Sequence, residues 1–377
     1  MGGCSDAPKI LFLAVVPCAL VLFLGQSDLA SQGVGEFALP LPRGVLPPVI
    51  PEDNPLTAAK VALGQKLYFD ARLSADDTVS CATCHDPAKG FADGKTVAAG
   101  VGGKTGARNS PTVLDAAFSD FQFWDGRAST LEEQAKGPLT NPVEMGMPSH
   151  DAVTAKLQKI PEYPPLFRQA FASDRITIEN VVRAIASYER TVFSFNSPFD
   201  RFLAGDKTAM SESAQRGWQL FNEKARCNNC HGYVASLPTF TDNKFHNLGV
   251  AMHAANFAEL ARKAAQSPES ASALAHAPGY SELGRFLVTK EQKDIGAFKT
   301  PGLRDVALTA PYMHDGSQRT LEEIIEFYDK GGEDNPYLDG GIRPLKLTAQ
   351  EKADLVEFMK ALTSEDLARF ARPTNQP

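Results

Sequence analysis

The sequence has no excess of basic residues, and this absence limits the partners that the protein can bind. Its 377 residues include 38 Lys and Arg against 45 Asp and Glu, which gives a formal net charge of −7. A protein that holds nucleic acid by its phosphates needs a basic surface. The charge balance therefore argues against a nucleic-acid partner.

Long hydrophobic runs are missing after residue 30, whereas a bilayer-spanning helix needs about 20 apolar residues. Before that point, Lys9 is followed by the apolar stretch ILFLAVVPCALVLFLG and then by the polar stretch QSDLASQG. This order is typical of a secretory signal peptide. We therefore expect residues 1–30 to direct export to the periplasm, with an uncleaved N-terminal anchor as the alternative. We expect no other membrane contact.

Cysteine is scarce, with six residues in all, and two of them fall in the signal segment. The other four form two pairs, in CATCH and in CNNCH, and each pair is followed directly by a histidine. Two disulfides or a redox dithiol would not require the histidines, and a four-ligand zinc site usually brings its two CxxC pairs within about 20 residues. The C-x-x-C-H motif attaches c-type haem, because both thiols bond to the haem vinyl groups and the histidine ligates the iron. We predict two covalently bound haem c groups, one held by Cys81, Cys84 and His85 and the other by Cys227, Cys230 and His231.

Sustained alternation of polar and apolar residues is also missing, which argues against a large β-sheet. Two segments instead place their apolar residues at helical spacing: Ile178, Val181, Val182, Ile185 and Tyr188 in one, and Leu355, Phe358, Met359 and Leu362 in the other. Thr348 and Glu351 have the spacing of a capping box at the start of the second segment. Both segments are therefore predicted to be amphipathic helices.

The chain also contains a diverged internal duplication. GQKLYF at 64–69 precedes the first haem motif and GWQLFN at 217–222 precedes the second, so that Gly64 corresponds to Gly217. We predict a mostly α fold with two cytochrome c-like haem domains in tandem. The expected divisions are a signal peptide at 1–30, a proline-rich lead-in at 31–55, a first haem domain at 56–205 and a second haem domain at 206–377.

The group on the far side of each iron decides the function, since two strong protein ligands make an electron carrier and an open position admits a small oxidant. The segment FWDGRASTLEEQAKGPLTNPVEMGMP at 123–148 bears on this question. Together with ARNSPT, LTAPYMHDGS and the two haem motifs, it resembles the bacterial di-haem cytochrome c peroxidase family, which includes the MauG-like oxidases.

The resemblance implies roles for individual residues at the first haem. Trp124 would lie between the two haems and pass electrons, and Gln134 and Glu144 would face the iron that binds peroxide. Cleavage of an O–O bond needs a proton moved from the inner to the outer oxygen, and one carboxylate can carry it.

Two positions depart from the better-known peroxidases of this family. Many members carry a loop histidine that caps the first iron, but the matching position is Val101, and no histidine lies between His85 and His150. We therefore expect the first iron to be open in the resting ferric state. The second iron usually has an axial methionine, whereas Tyr328 stands at the matching position, as in MauG-like members. A phenolate ligand favours ferric iron and lowers the reduction potential, and packing of Tyr328 beside another ligand is the alternative.

These features predict an exported peroxidase that reduces hydrogen peroxide to water with electrons from a small c-type cytochrome or a copper protein. Residues 56–205 would be the peroxidatic half and residues 206–377 the electron-transfer half. The first alternative is a MauG-like oxidase that uses peroxide to oxidise residues of a partner protein, and the second is a pure electron carrier with both irons closed. The resemblance further implies a calcium ion, bound by Asn109 and by the backbone carbonyls of Thr309 and Pro311, since calcium prefers hard oxygen ligands.

Overall fold

The computed structural model describes residues 37–250 and 256–371, so the predicted signal peptide lies outside the described residues. The described chain is mostly helical, which confirms the predicted fold class. None of its helices is long and apolar enough to cross a membrane. The helices, in chain order, are α1 Ala58–Phe69, α2 Cys81–Cys84, α3 Leu131–Thr140, α4 His150–Gln158, α5 Tyr163–Phe171, α6 Ile178–Glu189, α7 Pro198–Leu203, α8 Glu212–Asn222, α9 Phe257–Gln266, α10 Ala271–His276, α11 Phe286–Thr289, α12 Leu321–Lys330 and α13 Ala349–Lys360. Two short strands, β1 Phe245–His246 and β2 Phe298–Lys299, pair antiparallel with Phe245 opposite Lys299.

Helices α1 and α6 cross at close range and form the centre of the first half. Gly64 of α1 makes this approach possible, because a Cβ atom there would lie 1.8 Å from the carbonyl oxygen of Ala184. Thr57 caps the start of α1 by accepting a hydrogen bond from the Lys60 N–H. Four residues of the predicted apolar face of α6 pack with residues of α1, α3, α4 and α5 in one apolar cluster, and the fifth, Tyr188, packs in a separate cluster with Tyr68 and Phe69 of α1.

Helices α8 and α13 repeat this crossing in the second half. A Cβ atom on Gly217 would lie 2.0 Å from the carbonyl oxygen of Asp354, so Gly217 has the place in α8 that Gly64 has in α1. Helix α13 begins at the predicted capping box, in which Thr348 and Glu351 each accept the other's backbone N–H. Of the predicted apolar residues, Leu355, Phe358 and Met359 lie in α13 and Leu362 lies just after its end, and all four are buried in a second cluster.

The repeat extends to the helix that follows each interior turn. Thr130 caps α3 and Thr320 caps α12, each by accepting a hydrogen bond from the N–H three residues further on. Counting eight residues from each cap places Pro138 in α3 at the position that Tyr328 has in α12. At equivalent positions of the repeat, α3 therefore carries a proline and α12 a tyrosine.

A third apolar cluster gathers α9, α10 and α11 within the second half. Arg285, at the start of α11, reaches the first half, where its guanidinium donates to the carbonyls of Asp125 and Gly126 and lies over the ring of Phe121. Helix α10 ends at His276, whose ring contacts the first half as well. The halves thus share many polar contacts, and the predicted boundary at residue 206 stays a prediction.

Candidate haem sites

Helix α2 holds the first haem motif. Ser80 precedes it, and the N–H of Ser80 donates to the hydroxyl of Thr83 at 2.9 Å. The hydroxyl of Tyr68 on α1 donates to the His85 carbonyl at 2.8 Å, which ties the motif to the crossing of α1 and α6. The Nδ1 atom of His85 lies 3.4 Å from the carbonyl oxygen of Phe91. An imidazole that donates through Nδ1 keeps the Nε2 lone pair for a metal, so this ring is oriented as an iron ligand.

The second motif has the same support. The Nδ1 atom of His231 lies 2.9 Å from the carbonyl oxygen of Phe240. Phe91 and Phe240 both have positive φ, +60° and +57°, so the same kind of turn presents the carbonyl in each half. Burial lowers the pKa of both His85 and His231, which keeps the rings neutral and able to bind iron.

The four cysteine thiols of the two haem motifs form no disulfide with one another. Burial raises the pKa of the Cys84 thiol to about 11 and that of the Cys227 thiol to about 12. A redox dithiol has a lowered thiol pKa instead, because the thiolate is its reactive form. These surroundings argue against the disulfide and redox-dithiol alternatives.

A cavity lies beside each motif, with a volume of about 160 Å³ at the first and about 290 Å³ at the second. The first is lined by Cys81, Cys84 and His85 and by the apolar side chains of Val79, Leu131, Leu139 and Ile185. The second is lined by Cys227, Cys230 and His231 and by the apolar side chains of Leu321, Ile325 and Leu355. Both cavities therefore suit a flat, largely apolar cofactor that two thioether bonds and one imidazole hold in place.

Trp124 forms part of the wall of both cavities. Its indole N–H donates to the carbonyl of Asn109 at 2.9 Å, and Asn109 lines both cavities too. The backbone N–H of Lys299, in the second half, donates to the Trp124 carbonyl at 2.8 Å. Trp124 is therefore bonded to both halves, through its ring to Asn109 and through its backbone to Lys299, and its side chain borders both cofactor spaces.

Gln134 and Glu144 line the first cavity on the side that α3 forms. Gln134 lies one turn into α3, and Glu144 follows the turn after that helix. Burial raises the pKa of Glu144, and the guanidinium of Arg127 acts in the opposite direction. A carboxyl group with a raised pKa takes up and releases a proton closer to neutral pH, which suits a proton carrier.

Several charged and titratable residues at the first cavity were given no role there by the sequence-based predictions, namely Arg108, Arg127 and His276. Asp125, which is wholly buried, holds both arginines, with Oδ2 at 2.7 Å from Arg108 Nη1 and Oδ1 at 3.0 Å from Arg127 Nη1. Burial alone would raise the pKa of Asp125, but the two guanidinium groups lower it overall. Arg127 stands in WDGR beside Trp124 and could have been noticed, whereas His276 gave no local signal.

Comparison with known proteins decides the family. Residues 58–208 match the family model described as di-haem cytochrome c peroxidase. The chain is 40% identical over 342 residues to the cytochrome-c peroxidase IdrP1 of Denitromonas iodatirespirans, covering 89% of each chain. It is 42% identical over 319 residues to the methylamine utilization protein MauG of Methylorubrum extorquens, covering 84% of this chain and 82% of that protein. The chain belongs to the di-haem cytochrome c peroxidase family.

A solved structure agrees with this assignment. A MauG-like protein associated with microbial copper homeostasis has a TM-score of 0.75 to this chain at 34% identity, and the match covers 89% of this chain and 99% of that one. The protein is thus a peroxidase-type oxidoreductase that carries haem c, as predicted.

Val101 of this di-haem peroxidase lies in the short turn Val101–Gly103 and is buried. Its side chain packs toward Gly146, where an added Cβ atom would lie 2.7 Å from Val101 Cγ2. Ala98 and Gly106 of the same loop line the first cavity, whereas Val101 packs behind the wall. The loop therefore borders the first haem without a ligand atom at Val101, and the open iron stays a prediction.

Tyr328 of the peroxidase lines the second cavity, together with Met313, Met359, His246 and His314. The two histidines are engaged elsewhere, since His314 Nε2 lies 2.6 Å from a carboxylate and both ring nitrogens of His246 bond to carboxylates. The phenols of Tyr328 and Tyr312 and the sulfurs of Met313 and Met359 remain as candidate ligands, and Tyr328 is the predicted one. Burial raises the pKa of Tyr328, so its phenolate needs the charge of a bound ferric iron to persist.

Asn109, Thr309 and Pro311, the predicted calcium ligands, all line the second cavity. The side-chain amide of Asn109 donates through Nδ2 to the Lys95 carbonyl at 2.8 Å, so its Oδ1 is the atom able to bind a cation. The Asn109 N–H donates to the His314 carbonyl at 2.8 Å and joins the two halves. All three residues thus border the same cavity, and calcium itself stays a prediction.

Proposed function

We propose that this enzyme is a periplasmic peroxidase that reduces hydrogen peroxide to water at the first haem. Electrons from a small c-type cytochrome or a copper protein would enter through the half that carries the second haem motif, and Trp124 would pass them between the two cavities that it lines. One observation carries the proposal, which is the difference between the two cavities. The first has a proton carrier and an amide on its wall, Glu144 and Gln134, but no ligand atom where the second has Tyr328.

The internal repeat supports an open first iron and a closed second one. Pro138 and Tyr328 hold the same position in α3 and α12, and each lines its own cavity. A proline side chain has no atom that can bind iron, whereas a tyrosine phenolate is an established haem ligand. His85 would therefore hold the first haem with no ligand from α3 opposite it, and His231 and Tyr328 would hold the second.

The haem supplies the redox chemistry when it is bound, and the residues around it supply proton transfer and charge stabilisation. Each peroxide takes two electrons and two protons to become two water molecules. Glu144 accepts the proton from the inner oxygen of peroxide and returns it to the outer oxygen, which leaves as water. Gln134 donates a hydrogen bond to the peroxide, and the Arg127 guanidinium stabilises the negative charge that develops during transfer.

A second candidate is a MauG-like oxidase that acts on side chains of a partner protein. Tyr328 favours it, and the chain is about as similar to MauG of Methylorubrum extorquens, at 42% identity, as to the peroxidase IdrP1, at 40%. In this candidate the oxidising equivalents leave through the protein surface instead of being quenched by a small cytochrome.

Peroxide mixing tests both candidates. The haem-loaded ferric protein, never pre-reduced, is mixed with one equivalent of hydrogen peroxide in a stopped-flow spectrophotometer, with and without reduced small cytochrome c. A rapid spectral change that the cytochrome reverses supports the peroxidase. A rapid change that the cytochrome leaves in place supports the MauG-like oxidase. A protein that does not react at all has a closed first iron, which would overturn the proposal.

A further inference from the structure

His276 reaches the first haem cavity from the second half of the chain. It ends α10 and lines the cavity with Gln134 and Glu144. The His276 Nε2 atom lies 2.9 Å from Nδ2 of Asn141 and 3.8 Å from Oε1 of Glu144. A histidine thus lies beside the carboxylate that the proposed function uses as a proton carrier.

The hydrogen bonds of Asn141 decide which ring nitrogen of His276 carries the proton. The Asn141 Oδ1 atom accepts a hydrogen bond from the Val143 N–H at 3.0 Å, so Nδ2 is the donor toward His276. The Nε2 atom of His276 must then be the acceptor, and its proton resides on Nδ1. Nδ1 is buried and has no partner among the described residues. The acceptor edge of the ring therefore faces Glu144.

The charges around His276 keep its ring neutral. Burial lowers the pKa of His276 to about 4, the guanidinium groups of Arg127 and Arg108 act in the same direction, and Asp125 opposes them. At neutral pH a neutral hydrogen-bond acceptor, not an imidazolium, lies beside Glu144. Such an acceptor repels a carboxylate oxygen and attracts the O–H of a protonated carboxyl.

We propose that His276 is a positioning residue for peroxide cleavage, because its Nε2 atom favours and orients Glu144 while that carboxyl carries the proton. The separation of 3.8 Å exceeds a hydrogen bond. Once the carboxyl is protonated, rotation about the side-chain bonds of Glu144 brings its O–H to Nε2, where it takes the place of the Asn141 Nδ2–H, because Nε2 has a single lone pair. The proton still passes from the inner to the outer oxygen of peroxide. Between these two transfers Glu144 carries the proton, and His276 holds the protonated carboxyl in place. This inference rests on the proposed role of Glu144.

Cyanide binding to the ferric, haem-loaded protein tests the inference without turnover. Hydrogen cyanide gives its proton to a base in the cavity as the anion binds iron, so the binding rate falls when the pH drops below the pKa of that base. His276→Leu keeps an apolar side chain of similar bulk and removes the acceptor. We expect the apparent pKa of the binding profile to fall by about one pH unit, since one hydrogen bond to the protonated form is worth about tenfold in proton affinity.

Two further variants separate positioning from packing. In Asn141→Ser the hydroxyl can still accept the Val143 N–H, but it is too short to hold His276. The ring is then free to donate through Nε2 to the carboxylate of Glu144, so we expect a shift in the same direction with the histidine still present. His150→Leu is the matched control, because His150 bonds to the Lys136 carbonyl and does not line the cavity. Its profile should equal that of the unaltered protein.

Glu144→Gln separates the role of His276 from the role of Glu144 in the proposed function. This variant should remove the fall in the cyanide-binding rate at low pH. If it does so while His276→Leu and Asn141→Ser leave the profile unchanged, the role of His276 is overturned and the proposed function stands. If Glu144→Gln changes nothing, both are overturned. A first haem that is low-spin in the unaltered protein and becomes high-spin in His276→Leu would make His276 an axial ligand and would also overturn the inference.

Discussion

At the scale of single residues, the chemistry of the first cavity depends most on Glu144. Glu144→Gln keeps the shape of the side chain and removes its ability to carry a proton. We expect the reaction with peroxide to slow by roughly 10²–10⁴-fold, the usual contribution of a general acid–base group. Stopped-flow spectroscopy of the ferric protein measures this rate, and a loss of less than about tenfold would remove Glu144 from the mechanism.

The pH dependence of the same rate checks the assignment. Burial raises the pKa of Glu144 above its ordinary value, and Arg127 offsets only part of that rise. The ionised carboxylate accepts the proton, so the rate should be constant above this pKa and should fall about tenfold per pH unit below it. In Glu144→Gln the rate should not fall at low pH. If it still falls there, a group other than Glu144 is responsible for the pH dependence.

Tyr328 should control the potential of the second haem. A phenolate stabilises ferric iron, so Tyr328→Met should raise the reduction potential of that haem and change its ferric spectrum. Spectroelectrochemical titration of the haem-loaded protein measures both quantities. Tyr312→Phe is the matched control, because Tyr312 lines the same cavity and is not a predicted ligand. Equal potentials in Tyr328→Met and the unaltered protein would show that another side chain, such as Met313 or Met359, binds the iron.

A site residue could be predicted from the sequence when it belongs to a motif of consecutive positions, and could not when only the fold brings it to the site. Each haem motif lies within five consecutive positions, so Cys81 and His85 could be recognised directly. Gln134 and Glu144 needed a resemblance, because a glutamine and a glutamate alone carry no such meaning. His276 could not be predicted, because its position depends on how α10 packs against the first half of the molecule.

At the scale of elements, the two glycine crossings are the contacts that fix each half. Gly217→Ala would place a Cβ atom 2.0 Å from a backbone oxygen of α13, which cannot move aside as a flexible side chain can. The helices must separate, and we expect a loss of roughly 1–3 kcal/mol in the free energy of unfolding. Urea unfolding of the haem-loaded protein measures it. Gln219→Ala, on the exposed face of α8, is the control and should change the stability by no more than about 0.5 kcal/mol.

The same crossings explain which helices could be predicted. Helices α6 and α13 each bury one face, so their apolar residues recur at helical spacing, and α13 also begins at a capping box. Helix α2 has four residues and α10 has six, too few for such a pattern to develop. Their positions depend on tertiary contacts, which no short segment of sequence encodes.

At the scale of the whole molecule, calcium should act on the junction of the two halves. Asn109 lies there, with its N–H bonded to the carbonyl of His314. A ligand that binds only the folded state stabilises it by about 2.7 kcal/mol at a concentration one hundred times its Kd. We expect a calcium chelator to lower the Tm measured by calorimetry, calcium to restore it, and Asn109→Ala to remove the difference. Equal Tm values with and without the chelator would contradict the predicted site.

Electron transfer between the two halves should depend on Trp124, because its ring is part of both cavity walls. The ring N–H bonds to Asn109 of the first half, and the backbone carbonyl bonds to Lys299 of the second. Trp124→Phe keeps an aromatic ring and loses the indole, whose N–H bonds to Asn109 and whose electrons are easier to remove. The first haem should still react with peroxide, but the accompanying spectral change at the second haem should slow. Trp218→Phe is the control, since Trp218 packs against Phe199 and Phe358 in the apolar cluster around α8 and α13 and lines neither cavity. Stopped-flow traces at wavelengths that separate the two haems measure the rates of both spectral changes.

If the ratio of these two rates is the same in Trp124→Phe as in the unaltered protein, electrons pass between the haems by another route. The side chain of Trp124 then serves only to pack the two halves together.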